Sequence, residues 1–286
     1  MASQRFKLAA NANNSKNTRM DIAGAGIMAN WRTDELAHIS RYCKIAEHIM
    51  DEAARLKRPV DLLEIGCGQI WTLRYLYKAI VCKKEDQVRS YTGIDIDPSV
   101  KNDFWSEQLV EDSSWFKIFN GRLVIQDLTV KPAPPASPAR DGLYDFFYTT
   151  EVIEHMQAKF IEPWLKRVAA LLRPGGLAYV STPNHDGSRD KLPKDHVYEW
   201  GFEELKALLT KYFELVRVDG VFTQLPAFGK AFKDKKQVQY SWGAYAQPDV
   251  VNLIRARFDP HWQRVILAMF YPEVANNCAW TLRKRK

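Results

Sequence analysis

Short apolar runs alternate with segments of helical periodicity along most of this chain. Six of these runs have the length of buried strands: Val60–Ile65, Tyr91–Ile96, Leu123–Ile125, Tyr144–Tyr148, Leu177–Ser181 and Phe213–Val218. Most of them are continuously apolar, which is typical of strands covered on both faces. Strands that alternate with helices in this way predict a parallel sheet whose crossover connections are right-handed.

The start of the chain departs from this alternation. Residues 1–32 are polar and Asn-rich at first, and they predict a tail. Thr33 is then placed to cap a helix that extends to Lys57, because apolar residues recur there at broadly helical spacing. We therefore expect one large core domain over residues 33–220.

The end of the chain adds one more strand. Cys278–Arg283 is a short apolar run, and residues 276–286 are expected to form a final strand with a basic tail. The intervening residues 221–275 are rich in aromatic side chains and have helical periodicity. The simplest topology makes this segment a helical, aromatic insertion, or cap, between the last two of seven strands.

The composition is that of an ordinary globular protein, with 46% hydrophobic and 26% charged residues. No apolar run approaches the roughly 18 residues that a membrane-spanning helix needs, and the start carries no apolar stretch typical of a signal peptide. The four cysteines are far apart and form no C-x-x-C pair. These features favour a reduced, cytoplasmic protein with no membrane partner.

The net charge of +7 is confined to the last quarter of the chain. Residues 1–220 carry 30 basic and 30 acidic side chains, whereas residues 221–286 carry 11 basic and 4 acidic ones. Four of those basic residues are the terminal run Arg283–Lys286. The predicted insertion is therefore only modestly basic.

Three acidic residues follow or close three successive predicted strands. Glu64 precedes the turn Gly66-Cys-Gly68, Asp95 closes the second strand and Asp127 follows the third. Glycines let a backbone approach a ligand closely, and ligands of doubly wound sheets bind at the carboxyl ends of the strands. Three acids make a poor phosphate pocket and a good pocket for a cationic nucleoside.

This ordered set resembles the class I S-adenosylmethionine (SAM)-dependent methyltransferases, which have a Rossmann-like fold. Five segments are similar to the motifs of that class: Glu64-Ile-Gly66-Cys-Gly68, Gly93-Ile-Asp95, Gln126-Asp127, Tyr144–Glu151 and Leu172–Leu177. The resemblance covers roughly residues 57–220 and the final strand. An NAD-binding or nucleotide-free domain is the alternative, and the isoleucine at the usual third glycine, Ile70, disfavours NAD.

The resemblance implies the cofactor contacts. Glu64 and the glycine turn would face the methionine moiety, Asp95 the ribose and Asp127 the adenine. The implied cofactor-binding set is Glu64, Gly66, Cys67, Gly68, Asp95, Ile96, Asp127, Leu128 and Thr150.

The fourth motif continues into Glu151-Val-Ile-Glu154-His155, and a second histidine, His196, precedes Val-Tyr-Glu199-Trp. On a helix start, residues i, i+3 and i+4 share one face, so we expect both carboxylates and the first imidazole to converge. The two segments resemble the metal-binding set of small-RNA 3′-end 2′-O-methyltransferases. That resemblance implies Glu151, Glu154, His155 and His196 as catalytic residues and as ligands of Mg or Mn.

The same segments also resemble metal-free O-methyltransferases such as those of ubiquinone biosynthesis. In that interpretation Glu154 and His155 hold the loop, and His196 lines the acceptor pocket or acts as a base. His185 is a further candidate base. Trp71, Tyr198 and Trp200 are candidates for an acceptor pocket or for core packing: the sequence leaves both roles open.

Aromatic and basic residues interleave in the insertion. The aromatic residues are Phe222, Phe228, Phe232, Tyr240, Trp242 and Tyr245, and the basic ones are Lys230, Lys233, Lys235 and Lys236. Such a pattern is typical of nucleic-acid binding through phosphate and base contacts, and equally of a cap with a small core.

The sequence as a whole predicts a SAM-dependent methyltransferase that acts on an oxygen or nitrogen atom of a nucleic acid or nucleotide. A small-molecule O- or N-methyltransferase with an aromatic cap is the alternative. An inactive SAM-binding partner subunit is a third possibility, disfavoured because every cofactor acid is present.

Overall fold

The computed structural model describes residues 33–79, 87–103, 108–127, 134–185, 192–223, 253–254, 256–258 and 260–286. The predicted tail, Leu128 and most of the predicted insertion lie outside the described residues, and so do all four lysines discussed above.

A single seven-stranded sheet forms the centre of the described chain. Its strands are β1 (Val60–Ile65), β2 (Val88–Asp95), β3 (Gly121–Ile125), β4 (Tyr144–Thr150), β5 (Leu172–Pro183), β6 (Phe213–Phe222) and β7 (Asn277–Lys284). The spatial order is β3-β2-β1-β4-β5-β7-β6, and β7 runs antiparallel to both of its neighbours. The predicted mostly parallel seven-stranded sheet is confirmed.

Helices cover both faces of this sheet. They are α1 (Thr33–Leu56), α2 (Trp71–Ala79), α3 (Ser114–Lys117), α4 (Ala158–Leu171), α5 (Phe202–Leu209) and α6 (Pro260–Phe270). One buried cluster contains Trp164 of α4 and Leu208 of α5, and the other contains Ile49 of α1 and Leu73 of α2. The strands are therefore buried from both sides, which accounts for their continuously apolar sequences.

Helix α1 ends where its sequence predicts, within one residue. Lys57 follows the last helical residue, Leu56, and has a left-handed backbone with φ of 54°. A residue in this conformation stops a helix, and Pro59 precedes β1 and cannot continue one.

Helix α6 lies in the predicted insertion and packs against β6. Gly220 of β6 makes the close approach feasible, because a Cβ atom there would lie 2.1 Å from the carbonyl oxygen of Ala268. Strand β6 itself continues to Phe222, two residues into the segment predicted as the insertion. None of the described helices is both long and apolar enough to cross a lipid bilayer.

Candidate active site

The turn after β1 is tied to β2 by its backbone. The amide nitrogens of Gly66 and Cys67 both donate to the carbonyl oxygen of Ile94, at 2.8 and 3.2 Å. Gly66 has φ of +71°, and a Cβ atom at this residue would lie 2.1 Å from Cγ2 of Val152. Gly68 also has a positive φ, of +48°. The turn therefore requires glycine for conformation at both positions, and for space at Gly66.

Asp95, at the end of β2, holds the other side of this turn. Its Oδ2 accepts a hydrogen bond of 2.8 Å from the amide of Gly68, and its Oδ1 accepts one of 2.9 Å from the amide of Asp97. Burial raises the pKa of Asp95, and these backbone hydrogen bonds partly offset that rise. A carboxylate has about four lone-pair sites, so Asp95 keeps acceptor capacity for a ribose diol.

Glu64 is more enclosed than the sequence indicated. It is 4% exposed, and its Oε2 accepts the hydroxyls of Tyr91 and Tyr148 at 2.5 and 3.2 Å. Burial raises the pKa of Glu64 to about 8, an effect that the two hydroxyls reduce and Asp95 increases. Glu64 is therefore largely protonated at neutral pH in the chain without ligand.

The other predicted cofactor residues lie near the same edge of the sheet. The amide of Gln126 donates to the carbonyl oxygen of Asp95 at 2.8 Å, which brings the half-buried Asp127 beside the end of β2. Ile96 is half-buried directly after β2, and Thr150 is the half-buried last residue of β4. The structure thus places the described members of the predicted cofactor set at the ends of four adjacent strands.

Ile70 occupies the position of the missing third glycine. Its backbone is left-handed, with φ of 58°, although a β-branched side chain rarely adopts this conformation. The side chain is fully buried among apolar neighbours that include Leu73 and Leu76. Apolar burial therefore compensates for a backbone conformation that favours glycine.

Three of the four predicted metal ligands converge at the carboxyl end of β4. Glu154 and His155 belong to a short 3-10 helix, Ile153–His155, and the donor atoms of Glu154, His155 and His196 lie within 4.8 Å of one another. The backbone brings the His196 loop to this place, because the amides of Val197 and Tyr198 donate to the carbonyl oxygen of Glu154 at 2.7 and 3.1 Å. We call Glu154, His155 and His196 the triad.

The atoms of the triad that do not face each other are held by neighbours. Nδ1 of His155 lies 2.8 Å from the carbonyl oxygen of Asp195, and Nδ1 of His196 lies 2.6 Å from Oε1 of Glu199. Oε2 of Glu154 accepts a hydrogen bond of 3.0 Å from Thr182. Both imidazoles therefore keep Nε2 for a ligand.

The remaining carboxylate oxygen of the triad is the most unusual atom of the site. Oε1 of Glu154 is buried, lies 3.9 Å from Nε2 of His155 and has no hydrogen-bond partner in the described part of the chain. The Glu154 side chain is fully buried, and this burial, together with nearby Glu151, holds its pKa well above the usual range.

Glu151 does not join the triad, so the expectation of one shared helical face is wrong for this residue. It precedes the 3-10 helix and has a left-handed backbone, with φ of 56°. Its carboxylate accepts a hydrogen bond of 2.7 Å from buried Arg41 and two of 2.9 Å from the amide of Asn277. Sequence reasoning missed Arg41 and Asn277, since neither is in or near the motif.

The remaining candidates have structural contacts. The amide of His185 donates to the carbonyl oxygen of Trp200 at 2.8 Å, and Trp200 and Trp71 are buried. The hydroxyl of Tyr198 donates to Glu204 at 2.7 Å. These contacts favour core packing for the two tryptophans and a stabilising role for Tyr198.

Two observations define the class of this protein: the strand order with a reversed seventh strand, and the glycine turn followed by acids at strand ends. Both are features of class I SAM-dependent methyltransferases. The chain belongs to a methyltransferase domain family, which matches residues 36–218. It is accordingly a SAM-dependent methyltransferase.

Several solved structures are similar to this chain. The small RNA methyltransferase HEN1 has a TM-score of 0.52 and 16% identity over 87% of this chain and 25% of the HEN1 chain. The 1,6-didemethyltoxoflavin-N1-methyltransferase of Burkholderia thailandensis, solved with S-adenosylhomocysteine, has a TM-score of 0.49 and 17% identity over 97% and 89% of the two chains.

The N-methyltransferase NodS of Bradyrhizobium japonicum, also solved with S-adenosylhomocysteine, has a TM-score of 0.46 and 14% identity over 96% and 100%. At 16% identity, the similarity to HEN1 concerns the fold alone. No curated protein is similar enough in sequence to count as a match.

Proposed function

We propose that this enzyme transfers the methyl group of SAM to an oxygen atom of a nucleic acid or nucleotide, and that the triad holds a divalent cation, Mg or Mn, beside that oxygen. The observation that carries the proposal is the convergence of Glu154, His155 and His196 within 4.8 Å. A cation that binds hydroxyl groups favours oxygen over nitrogen as the acceptor atom, and adjacent ribose hydroxyls are the natural pair in a nucleic acid.

The triad fits a divalent cation in three respects. Its donor set of two imidazole nitrogens and one carboxylate suits a divalent ion such as Mn, and Mg would draw chiefly on the carboxylate and water. The second nitrogen of each imidazole is engaged by a carbonyl or carboxylate oxygen, which is the usual arrangement around metal-bound histidines. The buried Oε1 of Glu154 is also free to accept a ligand, and a bound cation would stabilise the ionised form of a carboxyl whose burial otherwise favours the protonated form.

In this proposal the two reactants bind at neighbouring strands. The glycine turn and Asp95 at the ends of β1 and β2 would hold the cofactor, and β4 pairs directly with β1. The triad follows β4, so an acceptor held there would lie beside the bound cofactor, as an in-line displacement requires. When bound, the cation would orient an acceptor hydroxyl and lower its pKa.

A small-molecule acceptor is the second candidate, and one observation favours it. His196 and Glu199 form a hydrogen-bonded pair at 2.6 Å, and a histidine oriented by a carboxylate can act as a general base. In this case the enzyme would need neither a metal nor a polyanionic substrate.

A methyl-transfer assay with labelled SAM separates these candidates. The acceptors are a short RNA with a free 3′ end, the same RNA with a 2′-deoxy terminal nucleotide, and a panel of small hydroxylated aromatic compounds. We expect transfer to the first RNA only, loss of transfer in excess chelator and recovery on adding Mn. Transfer should weaken steeply with salt, because nucleic-acid binding releases counterions.

Variants complete the assay. His196→Ala should abolish transfer, whereas His185→Ala, which changes a loop histidine outside the triad, should retain it. Full activity in excess chelator would refute the proposed role of a divalent cation. Methylation of a small compound in the absence of RNA activity would establish the second candidate instead.

A further inference from the structure

A shallow, open cleft lined by arginines lies at the amino ends of the strands, on the edge of the sheet opposite to the candidate active site. Its volume is about 540 Å³, and its lining residues are Arg58, Arg89, Ala139, Arg140, Asp141 and Arg173. They come from the residues before β1, the start of β2, the loop before β4 and the start of β5. We call this feature the arginine cleft. None of its lining residues belongs to the candidate active site described above.

Two buried acids beneath the cleft fix the orientation of its arginines. Asp61 is fully buried, and it accepts a hydrogen bond of 2.9 Å from Nε of Arg89 and a second one from Nη2 of the same residue. Asp145 is 2% exposed and accepts bonds of 2.8 and 2.7 Å from the two terminal nitrogens of Arg58. Each guanidinium is therefore held on its inner side by a carboxylate.

The outer sides of these guanidiniums remain accessible. Arg89 is 45% exposed, and its Nη1 makes no hydrogen bond within the described residues. Because the inner carboxylates already restrict the side chains, a ligand would bind to them with little further loss of conformational entropy.

The cleft carries more positive than negative charge. Arg173 bridges Asp61, Asp141 and Asp145, so three acids face four arginines. The fourth arginine, Arg140, is exposed and forms no ion pair with any residue that the structure describes. Among the described residues, the guanidinium of Arg140 therefore has no ion-pair partner at the cleft.

We propose that the arginine cleft binds a phosphate group, with Arg140 and the outer nitrogen of Arg89 as its principal donors. Guanidinium groups match phosphate oxygens with paired, charge-assisted hydrogen bonds. Several guanidiniums at one place suit a dianion with three or more oxygens better than a singly charged carboxylate. The proposal is independent of the acceptor atom, since the cleft and the triad lie at opposite ends of the strands.

A purely structural role explains only part of this arrangement. Arginines that serve to join strand ends would all be paired with acids, as Arg58, Arg89 and Arg173 are. Arg140 stabilises no strand in this way, so a phosphate ligand accounts for a residue that the ion-pair network does not use.

Calorimetric titration of the full chain with inorganic phosphate at low salt tests the proposal. Arg140→Gln should weaken phosphate binding about tenfold, the change that corresponds to one charge-assisted hydrogen bond. The residue is exposed and unpaired in the described chain, so the variant should unfold at the wild-type temperature. Arg257→Gln, which changes an exposed arginine outside the cleft, is the control and should bind phosphate as the wild type does.

Two further titrants, a nucleoside monophosphate and a single-stranded RNA, identify the source of the phosphate. Stronger binding of RNA that is also reduced by Arg140→Gln would support a polynucleotide backbone as the ligand. Phosphate binding that RNA does not displace would support a small phosphate compound. An absence of phosphate binding, or equal binding by the wild type and Arg140→Gln, would overturn the proposal.

Discussion

Replacing Glu64 by glutamine tests the electrostatics of the cofactor end. Glu64 is 4% exposed and receives the hydroxyls of Tyr91 and Tyr148 on one oxygen. Glu64→Gln keeps an oxygen that can accept both hydroxyls, and it has nearly the same shape. The substitution removes the ability to ionise and adds an NH2 group whose effect does not depend on pH, so the pH dependence of its effect on stability reports the cost of a buried negative charge.

The magnitude follows from the difference in pKa between the folded and unfolded chains. The ordinary pKa of this carboxyl is 4.5, and burial raises it to about 8 in the folded chain. Between pH 4.5 and about 8, unfolding therefore releases a proton from Glu64, and the free energy of unfolding of the wild type falls as the pH rises through this range. At ~1.4 kcal/mol per pH unit, the loss reaches on the order of 4 kcal/mol by pH 8.

Urea unfolding at pH 5, 6, 7 and 8, without cofactor and followed by circular dichroism, measures this loss. Glu64→Gln should match the wild type near pH 5 and exceed its free energy of unfolding by a few kcal/mol at pH 8. Glu214→Gln, which changes an exposed carboxylate on β6, should follow the wild-type pH dependence. If the free energy of unfolding of the wild type and of Glu64→Gln changed with pH in the same way, the buried, protonated state of this residue would be refuted.

Five further variants, grouped in three comparisons, test other parts of the account. Gly66→Ala and Gly175→Ala change glycines of nearly equal φ, +71° and +72°, but only the first places a Cβ atom against Val152. Gly175→Ala should therefore cost about 1 kcal/mol of unfolding free energy, and Gly66→Ala at least ~2 kcal/mol, with loss of calorimetric binding of S-adenosylhomocysteine. Ile70→Gly should be at least as stable as Ile70→Ala because φ is positive there, and an alanine variant more stable by ~1 kcal/mol would contradict this. Burial lowers the pKa of His48 to about 4 from its ordinary 6.5, so stability should fall as the pH drops through this interval, and a similar fall in His48→Gln would argue against this origin.

The sheet could be predicted from sequence because strands covered on both faces leave continuous apolar runs. All seven predicted runs lie in the observed strands, apart from one end residue. The strand ends were harder to predict. Strand β5 begins at Leu172, where that residue pairs with Tyr144, five residues before the apolar run that predicted it. The intervening Arg173-Pro-Gly-Gly176 is not apolar, so its sequence does not indicate a strand.

The candidate site could be predicted only where its residues belong to local motifs. Glu154 and His155 follow β4 directly, and His196 lies in a second recognisable segment. The position of Glu151 depends instead on Arg41 and Asn277, which are 110 and 126 residues away along the chain. Such contacts arise from tertiary packing of α1 and β7, and short-range spacing carries no information about them.

Anomalous diffraction from crystals grown with S-adenosylhomocysteine and Mn is the most direct test of the proposed metal-assisted reaction. We predict an anomalous peak between Glu154, His155 and His196, beside the sulfur of the bound cofactor product. If saturating Mn gives no peak at the triad while the same preparation methylates RNA, the metal has no part in this reaction.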